Sequence, residues 1–310
     1  MNKLIEKANN ILITTHKNPD ADGLGCGIAF MEVIESLYPK KSLYFFVDGK
    51  PPKNLSFLPH FERIEDINEN SFPKNIDLVI SLDMPNIQRG GAISKHIKDL
   101  PNINIDHHLG NSNFGAINFV DTGASSTAEL LVDLFKEYSY EIDDKVANAL
   151  YAGLIFDTGN FLWAASSKTF DCASLLTKKG ANVEMVSKNL FHKNSYTKFK
   201  IIEKAIGNMV YDEKKGLLYS YISNKEIKKL DAKQEDFEGV VELLKSFEKA
   251  KVTLLMKEDE KSSIRGNIRS DTVDVSRLAS LFGGGGHKKA SGFQTKKRYM
   301  EIVDLIQRES

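Results

Sequence analysis

The run at residues 77–82, Asp-Leu-Val-Ile-Ser-Leu, is apolar at almost every position rather than at alternate ones. That is the pattern of a strand buried on both faces. Similar short runs occur at residues 11–15, 43–47, 102–105 and 116–120, and a helix-compatible stretch at 23–38 separates the first two. Near-continuous apolar strands separated by helical segments imply an α/β fold, a parallel sheet with helices on both faces. Such sheets bind ligands beyond the carboxyl ends of their strands. His16, Asp83 and Asp106 each directly follow a strand run, so they are expected to meet at one edge.

Helical patterns dominate residues 125–209. Ser126 with Glu129 three positions later predicts a capping box. A second helix is expected from about Asp143 to the Asp157-Thr158-Gly159 segment, and 198–209 reads as a connecting helix. Strand patterns return at 216–222 and 251–256, with helices near 239–247 and 275–282. A chain of 310 residues exceeds one typical domain, so two are expected, with the boundary between residues 186 and 209. Lys plus Arg equals Asp plus Glu at 42 each, which gives no support for a long duplex nucleic acid partner but permits a short anionic ligand. Two cysteines, no signal-peptide pattern and no apolar run near ~18 residues predict a soluble, cytoplasmic protein without a membrane partner.

The polar residues at these element ends have the chemistry of metal ligands. In the loop His16-Lys17-Asn18-Pro19-Asp20-Ala21-Asp22-Gly23, Pro19 is expected to hold Asn18 extended and Gly23 to let the chain turn into a helix. Asp20 and Asp22 can address two different cations from one loop, Asp83 can bridge both, and His107 and Asp157 can complete the second site. Imidazoles mixed with several carboxylates favour Mn²⁺ over a thiolate zinc site, with Mg²⁺ as an alternative. Two cations about 3.5–4 Å apart can share a hydroxide nucleophile and polarise a phosphoryl oxygen, so no Ser or Cys nucleophile is required. Asp106 is then expected to orient an imidazole, and His108 to face the substrate. Each fragment alone is as well explained by a cap or a turn. Their joint occurrence at successive element ends favours the metal site.

These fragments together resemble the DHH phosphoesterase superfamily, named for the triplet Asp106-His107-His108. His16 to Gly25 is similar to its first motif, Asp83 stands at its second, and Phe156-Asp157-Thr158-Gly159 at its fourth. Ser125-Ser126-Thr127-Ala128-Glu129 also resembles a stretch typical of the subgroup. Residues 283–293, four glycines followed by His287, Lys288, Lys289, Ala290, Ser291, Gly292 and Phe293, resemble the Gly-Gly-Gly-His signature of the associated DHHA1 domain; Ser291 stands where many relatives carry Ala. The resemblance implies a catalytic DHH domain at 1–188, a helical linker at 189–209 and a smaller α/β DHHA1 domain at 210–310. It further implies that His16, Asp20 and Asp83 hold one metal, and Asp22, Asp83, His107 and Asp157 the other.

The two-domain layout is most similar to the nanoRNase/pAp phosphatase group. This implies hydrolysis of very short single-stranded oligoribonucleotides and of nucleotide 3′,5′-bisphosphates. A phosphodiesterase for linear or cyclic dinucleotide messengers is the alternative, and a RecJ-like single-strand exonuclease fits the short chain less well. The glycine run argues against an inorganic pyrophosphatase, and the full ligand set against a non-catalytic nucleotide sensor. Relatives of this kind are often homodimers, though no residue pattern here demands one.

In the second domain, Gly284, Gly285 and Gly286 bare backbone amides to a phosphate or base, and His287 adds an imidazole. The strand at 264–270 carries Arg265 and Arg269, and the resemblance favours Arg269 as the phosphate-gripping member, by bidentate contact. If substrate is held at both domains, its length is limited by the reach between them. Trp163, Phe161 and Phe156 around Asp157 are expected to wall the site or fill core; His60, His96 and His192 to lie at the surface or in packing; and Cys26 to be buried.

Overall fold

The six strands of the first half form one all-parallel sheet in the computed structural model, which describes residues 1–309. The chain divides into two units, Met1–Lys193 and a second that begins at Asn194. The first unit opens with α1 (Asn2–Lys7), β1 (Asn10–Thr14), α2 (Ala21–Leu37), β2 (Ser42–Val47), β3 (Ile64–Asp66) and β4 (Leu78–Leu82). It continues through α3 (Ser94–Ile97), β5 (Asn102–Asp106) and β6 (Ile117–Val120). Four helices close it: α4 (Thr127–Glu137), α5 (Asp144–Asp157), α6 (Ser167–Lys178) and α7 (Val183–Phe191).

The strand order is β3-β2-β1-β4-β5-β6. After β3 the chain crosses back to the other side of β1, so the winding direction reverses between β1 and β4. In open α/β sheets this reversal opens a crevice at the carboxyl ends of the two strands. Both sheet faces are covered, as the apolar runs predict. Ile11, Ile13, Leu78, Ile80 and Leu82 point into the larger core with α2, α4 and α5, while Leu12, Phe46 and Val79 point to the opposite face against Ile93 and Ile97.

The close approach of α2 to α5 depends on two glycines. A β-carbon on Gly25 would lie 2.3 Å from the Ala149 carbonyl oxygen, and one on Gly153 would lie 2.5 Å from Asp22 Oδ1. Any side chain at either position would push the helices apart and move Asp22.

Three local expectations change. The helix after β1 starts at Ala21 rather than at Gly23, because Asp20 Oδ1 accepts the amides of Asp22 and Gly23 at 3.0 and 3.2 Å and caps it. Gly23 is inside the helix, where a β-carbon would strike Thr15 Oγ1 at 2.1 Å; it serves close packing and not a turn. Asn18 is left-handed, with φ of 54°, instead of extended. Proline only disfavours the right-handed helical region for its predecessor, asparagine tolerates positive φ, and the Asn18 amide is fixed on the Asp48 carbonyl at 2.9 Å.

The second unit comprises α8 (Tyr196–Gly207), β7 (Val210–Asp212), β8 (Leu217–Ile222), α9 (Asn224–Lys229), α10 (Val240–Lys245) and β9 (Val252–Glu258). It ends with β10 (Ile264–Arg269), α11 (Val275–Ser280), β11 (Gly285–His287), β12 (Ala290–Thr295) and α12 (Tyr299–Glu309). Its sheet is mixed, ordered β11-β12-β10-β9-β8-β7, with only β8 and β9 parallel. The helix expected as a connector, α8, buries Ile201 and Ala205 in this unit's core beside Leu218, Val240 and Leu244. Part of the glycine run is strand: Gly285 to His287 form the sheet edge, paired with β12.

Candidate metal centre

The carboxyl ends of β1, β4 and β5 deliver His16, Asp83 and the Asp106-His107-His108 triplet to one place. Asp83 lies in the middle. Its φ is 57°, an uncommon conformation for a residue with a side chain, and its amide is tied to the Ile105 carbonyl at 2.9 Å. One Asp83 oxygen, Oδ2, is 3.4 Å from His16 Nε2. The other, Oδ1, is 3.7 Å from His107 Nε2, 3.4 Å from His108 Nδ1 and 2.9 Å from the Thr127 hydroxyl, which donates to it.

On the Oδ2 side, Asp20 Oδ2 is 3.3 Å from His16 Nε2, so His16, Asp20 and Asp83 form a group able to hold a cation. On the Oδ1 side, Asp157 Oδ2 is 3.1 Å from His107 Nε2, and Asp22, His107 and Asp157 form a second group. Asp83, His107 and His108 form a third that overlaps it. Asp22 is fully buried on the first turn of α2, where its two oxygens accept the Thr127 and Ala128 amides of the α4 N-terminus at 2.7 and 3.0 Å. Helix α4 therefore fixes Asp22 through its unpaired first-turn N–H groups.

The donor set suits divalent cations. His16 and His107 each face a backbone carbonyl with Nδ1, Lys17 at 3.0 Å and Ala124 at 3.3 Å, and turn Nε2 towards the carboxylates. That is how a metal-ligating imidazole is usually held. His107 Nε2 is a buried atom without a hydrogen bond, and Asp157 Oδ2 lies 3.1 Å from it. Burial, followed by the Asp157 and Asp83 charges, pushes Asp22 well above the usual carboxylate range. Burial, opposed by the neighbouring His107 imidazole, brings Asp157 up to about 6. Burial works against His16 too, but the Asp20 and Asp83 carboxylates raise it to about 11; His107 reaches about 10 by the same contest with Asp157, Asp22 and Asp83. The surrounding carboxylates hold these imidazoles towards their charged form, and divalent cations would take over that neutralisation.

Asp106 is fully buried and holds His108, not His107: Oδ1 is 2.8 Å from His108 Nδ1, and Oδ2 accepts Asn111 Nδ2 at 2.6 Å. Asn111 Nδ2 also reaches Asn104 Oδ1 at 2.9 Å, and Asn104 donates to the Met84 carbonyl at 3.0 Å. Of the predicted capping box only half forms. Ser126 Oγ accepts the Glu129 amide at 3.0 Å, but the Glu129 carboxylate takes the hydroxyls of Ser125 at 2.5 Å and Thr169 at 2.8 Å instead. Thr127, Asn104 and Asn111 have no individual ligand or catalytic pattern in the sequence. The one available signal was the Ser-Ser-Thr-Ala-Glu stretch, whose third residue turns out to touch Asp83.

In the second unit, Arg269 and His287 both pair in register with Ala290, from opposite sides of β12. They therefore lie in one row on one face, with the small Ala290 between them. Arg269 is not free there: Nε and one terminal nitrogen contact Glu242 Oε1 at 2.9 and 2.8 Å, and Nη1 donates to the Ile268 carbonyl at 3.1 Å. His287 and Gly285 are exposed. Gly284 cannot carry a side chain, since a β-carbon would lie 2.3 Å from the Gly292 carbonyl oxygen.

Among the other residues, Trp163 donates from its indole N–H to the Asp157 carbonyl at 2.8 Å, and Cys26 is buried with Sγ 3.6 Å from Asp22 Oδ1. His60 faces Glu32, and His96 stacks on Phe72 at 4.4 Å between ring centres. No helix among the described residues is long and apolar enough to cross a membrane.

The parallel sheet gathers buried carboxylates and imidazoles at its reversal point, and the domain matches place the chain in the DHH family of metal-dependent phosphoesterases. Residues 10–154 match the DHH family N-terminal domain and residues 214–309 the DHHA1 domain. A protein of Streptococcus mutans named "Probable bifunctional oligoribonuclease and PAP phosphatase NrnA" is 29% identical, over 97% of this chain and 96% of its own. The Bacillus subtilis protein named "Bifunctional oligoribonuclease and PAP phosphatase NrnA" is 26% identical, over 94% and 90%. The crystal structure of an exopolyphosphatase-related protein from Bacteroides fragilis shares the fold, with a TM-score of 0.93 and 24% identity over 99% of this chain and 93% of that one.

Proposed function

We propose that the chain hydrolyses very short oligoribonucleotides to mononucleotides and dephosphorylates pAp to AMP, using two divalent cations, Mn²⁺ foremost. The observation that carries the two-cation reading is Asp83, whose two oxygens face two separate sets of ligands. The substrate class rests on the near full-length similarity to the two relatives named for those activities.

In this reading His16, Asp20 and Asp83 hold one cation, and Asp22, Asp83, His107 and Asp157 the other. Cations bound there lower the pKa of an attacking water and polarise a phosphoryl oxygen. The protein's own part is positioning. Asp106 fixes the ring of His108, and His108 gives a proton to the leaving oxygen as the P–O bond breaks. In the second unit Arg269 and His287, with the bare backbone of Gly285 and Gly286, bind substrate phosphate; the Gly284 amide is already given to the Ala279 carbonyl at 3.0 Å, so this glycine serves the turn instead.

The test is turnover with Mn²⁺ of pAp, a cyclic dinucleotide and RNAs from two to about ten nucleotides under one condition. Preference for pAp and the shortest RNAs is expected. Equal degradation of the longest RNA, or selective turnover of the cyclic dinucleotide, overturns the substrate assignment.

A further inference from the structure

Trp163 is the only tryptophan in the chain, and half of its surface is open to solvent. It lies in a short segment that follows Asp157 directly at the end of α5. The backbone there is held in an unfavourable form. Asn160, Phe161 and Ala164 have φ of 57°, 68° and 57°, a region that side-chain-bearing residues seldom enter. Local bonds hold the segment there: the amides of Asn160 and Trp163 reach the carbonyls of Ile155 and Thr158 at 2.7 and 3.1 Å. Phe161 turns inward and stacks on Phe170 at 5.2 Å.

The result of this arrangement is the placement of one indole. Its N–H is satisfied by the Asp157 carbonyl, so the ring is tied to a residue whose carboxylate is part of the metal centre. One side of the ring covers Gly159, where a β-carbon would come within 2.3 Å of it. A flat aromatic surface with its polar atom already paired, pinned beside the centre and left open, is poorly explained by core packing. Leu162 beside it and Leu109 directly after His108 are each 77% exposed.

We propose that Trp163 is the stacking platform for the nucleobase of the nucleotide whose phosphate is held at the metal centre. This rests on the nucleotide substrate class proposed above. Stacking serves any base, because every base has a π-face. Trp163 is thus a binding residue that sets the requirement for a base without choosing among bases.

The single tryptophan makes its emission a direct report. With the cation-loaded protein, AMP is expected to quench the fluorescence saturably, while ribose 5-phosphate, which lacks the base, leaves it unchanged. Trp163→Leu should raise KM for a dinucleotide roughly five-fold or more with kcat unchanged. Trp163→Phe keeps a ring but loses the bond to the Asp157 carbonyl, and should stay near the parent KM. AMP that inhibits turnover without changing the emission overturns the stack, as does a Leu variant with parental KM or with a lowered kcat alone. Quenching by AMP in a protein that turns over neither pAp nor short RNA sinks the activity and leaves the stack standing.

Discussion

Asp106 Oδ1 lies 2.8 Å from His108 Nδ1, and the same carboxylate is anchored on its other side by Asn111. Burial lowers the pKa of His108, but the Asp106 and Asp83 carboxylates outweigh it and raise the imidazole above its ordinary value, which favours the proton-carrying form that the proposed role needs. Asp106→Asn removes the charge and keeps the shape. It is expected to lower kcat about 10–100-fold, the range for outer partners that orient the side chains of a metal site, with KM nearly unchanged. Because His108 then titrates lower, the alkaline limb of kcat should move to lower pH. A pH profile of the variant beside the parent checks both.

The metal centre predicts a stability effect that needs no turnover. Buried Asp22 is pushed up by burial and by Asp157 and Asp83, so cation binding relieves an unfavourable grouping of the folded state. A cation at about 100 times its Kd adds about 2.7 kcal/mol if it binds only the folded form. That corresponds to roughly 5–10 °C in Tm for a unit of this size. Asp83→Asn is the discriminating variant, since asparagine accepts the positive φ at this position better than alanine does. Thermal melts with and without Mn²⁺ should show the shift shrink in the variant, and Mn²⁺-dependent activity should vanish.

Thr127 supplies a test of the site's support. Its hydroxyl donates to Asp83 Oδ1 at 2.9 Å and its amide to Asp22 Oδ2 at 2.7 Å, both out of water. Thr127→Val keeps the amide and the side-chain shape but leaves Asp83 one donor short. We expect kcat to fall about ten-fold and Tm to fall by an amount matching about 1–3 kcal/mol. Thr127→Ser restores the donor and should recover most of the activity. Steady-state kinetics on the pair of variants decides whether the hydroxyl is what matters.

The first sheet was readable because strands buried on both faces are apolar at successive positions, as in β4 and β1. Strands β3 (Ile-Glu-Asp) and β11 (Gly-Gly-His) have no such pattern; they are strands because β2 and β12 offer them a free edge. At the metal centre the strand-end side chains stand out in the sequence, since charge at the end of an apolar run is conspicuous. Their partners do not. The Thr127 and Ala128 amides and the Lys17 and Ala124 carbonyls are backbone groups that every residue carries, and only the fold selects them. Which histidine Asp106 addresses was equally hidden, because it depends on how the chain leaves β5.

Arg269 poses a choice between substrate contact and an ion pair with Glu242. The pair is partly exposed, with side chains 22% and 38% accessible, and such pairs contribute about 1 kcal/mol or less. Arg269→Lys keeps the charge but not the planar fork that grips two phosphate oxygens. The expected outcome is a KM for dinucleotides raised roughly ten-fold, in line with about 1.4 kcal/mol of lost binding, while Tm stays within a few degrees. A fall in Tm with KM unmoved would assign Arg269 to structure alone.

Neighbouring glycines in the 283–286 run should respond in opposite ways. A β-carbon on Gly284 would meet the Gly292 carbonyl oxygen at 2.3 Å and Phe293 Cβ at 2.5 Å, which forces β12 to shift, whereas Gly285 faces open space at an ordinary φ. Gly284→Ala is therefore expected to cost about 1–3 kcal/mol through overpacking and lower Tm measurably. Gly285→Ala should leave Tm within a degree or two, since restricting the unfolded chain offers up to about 1 kcal/mol in its favour. If Gly285 matters because its bare backbone approaches the phosphate, its alanine variant raises KM without loss of stability. Melting curves and KM values for the two variants separate packing from binding within adjacent residues.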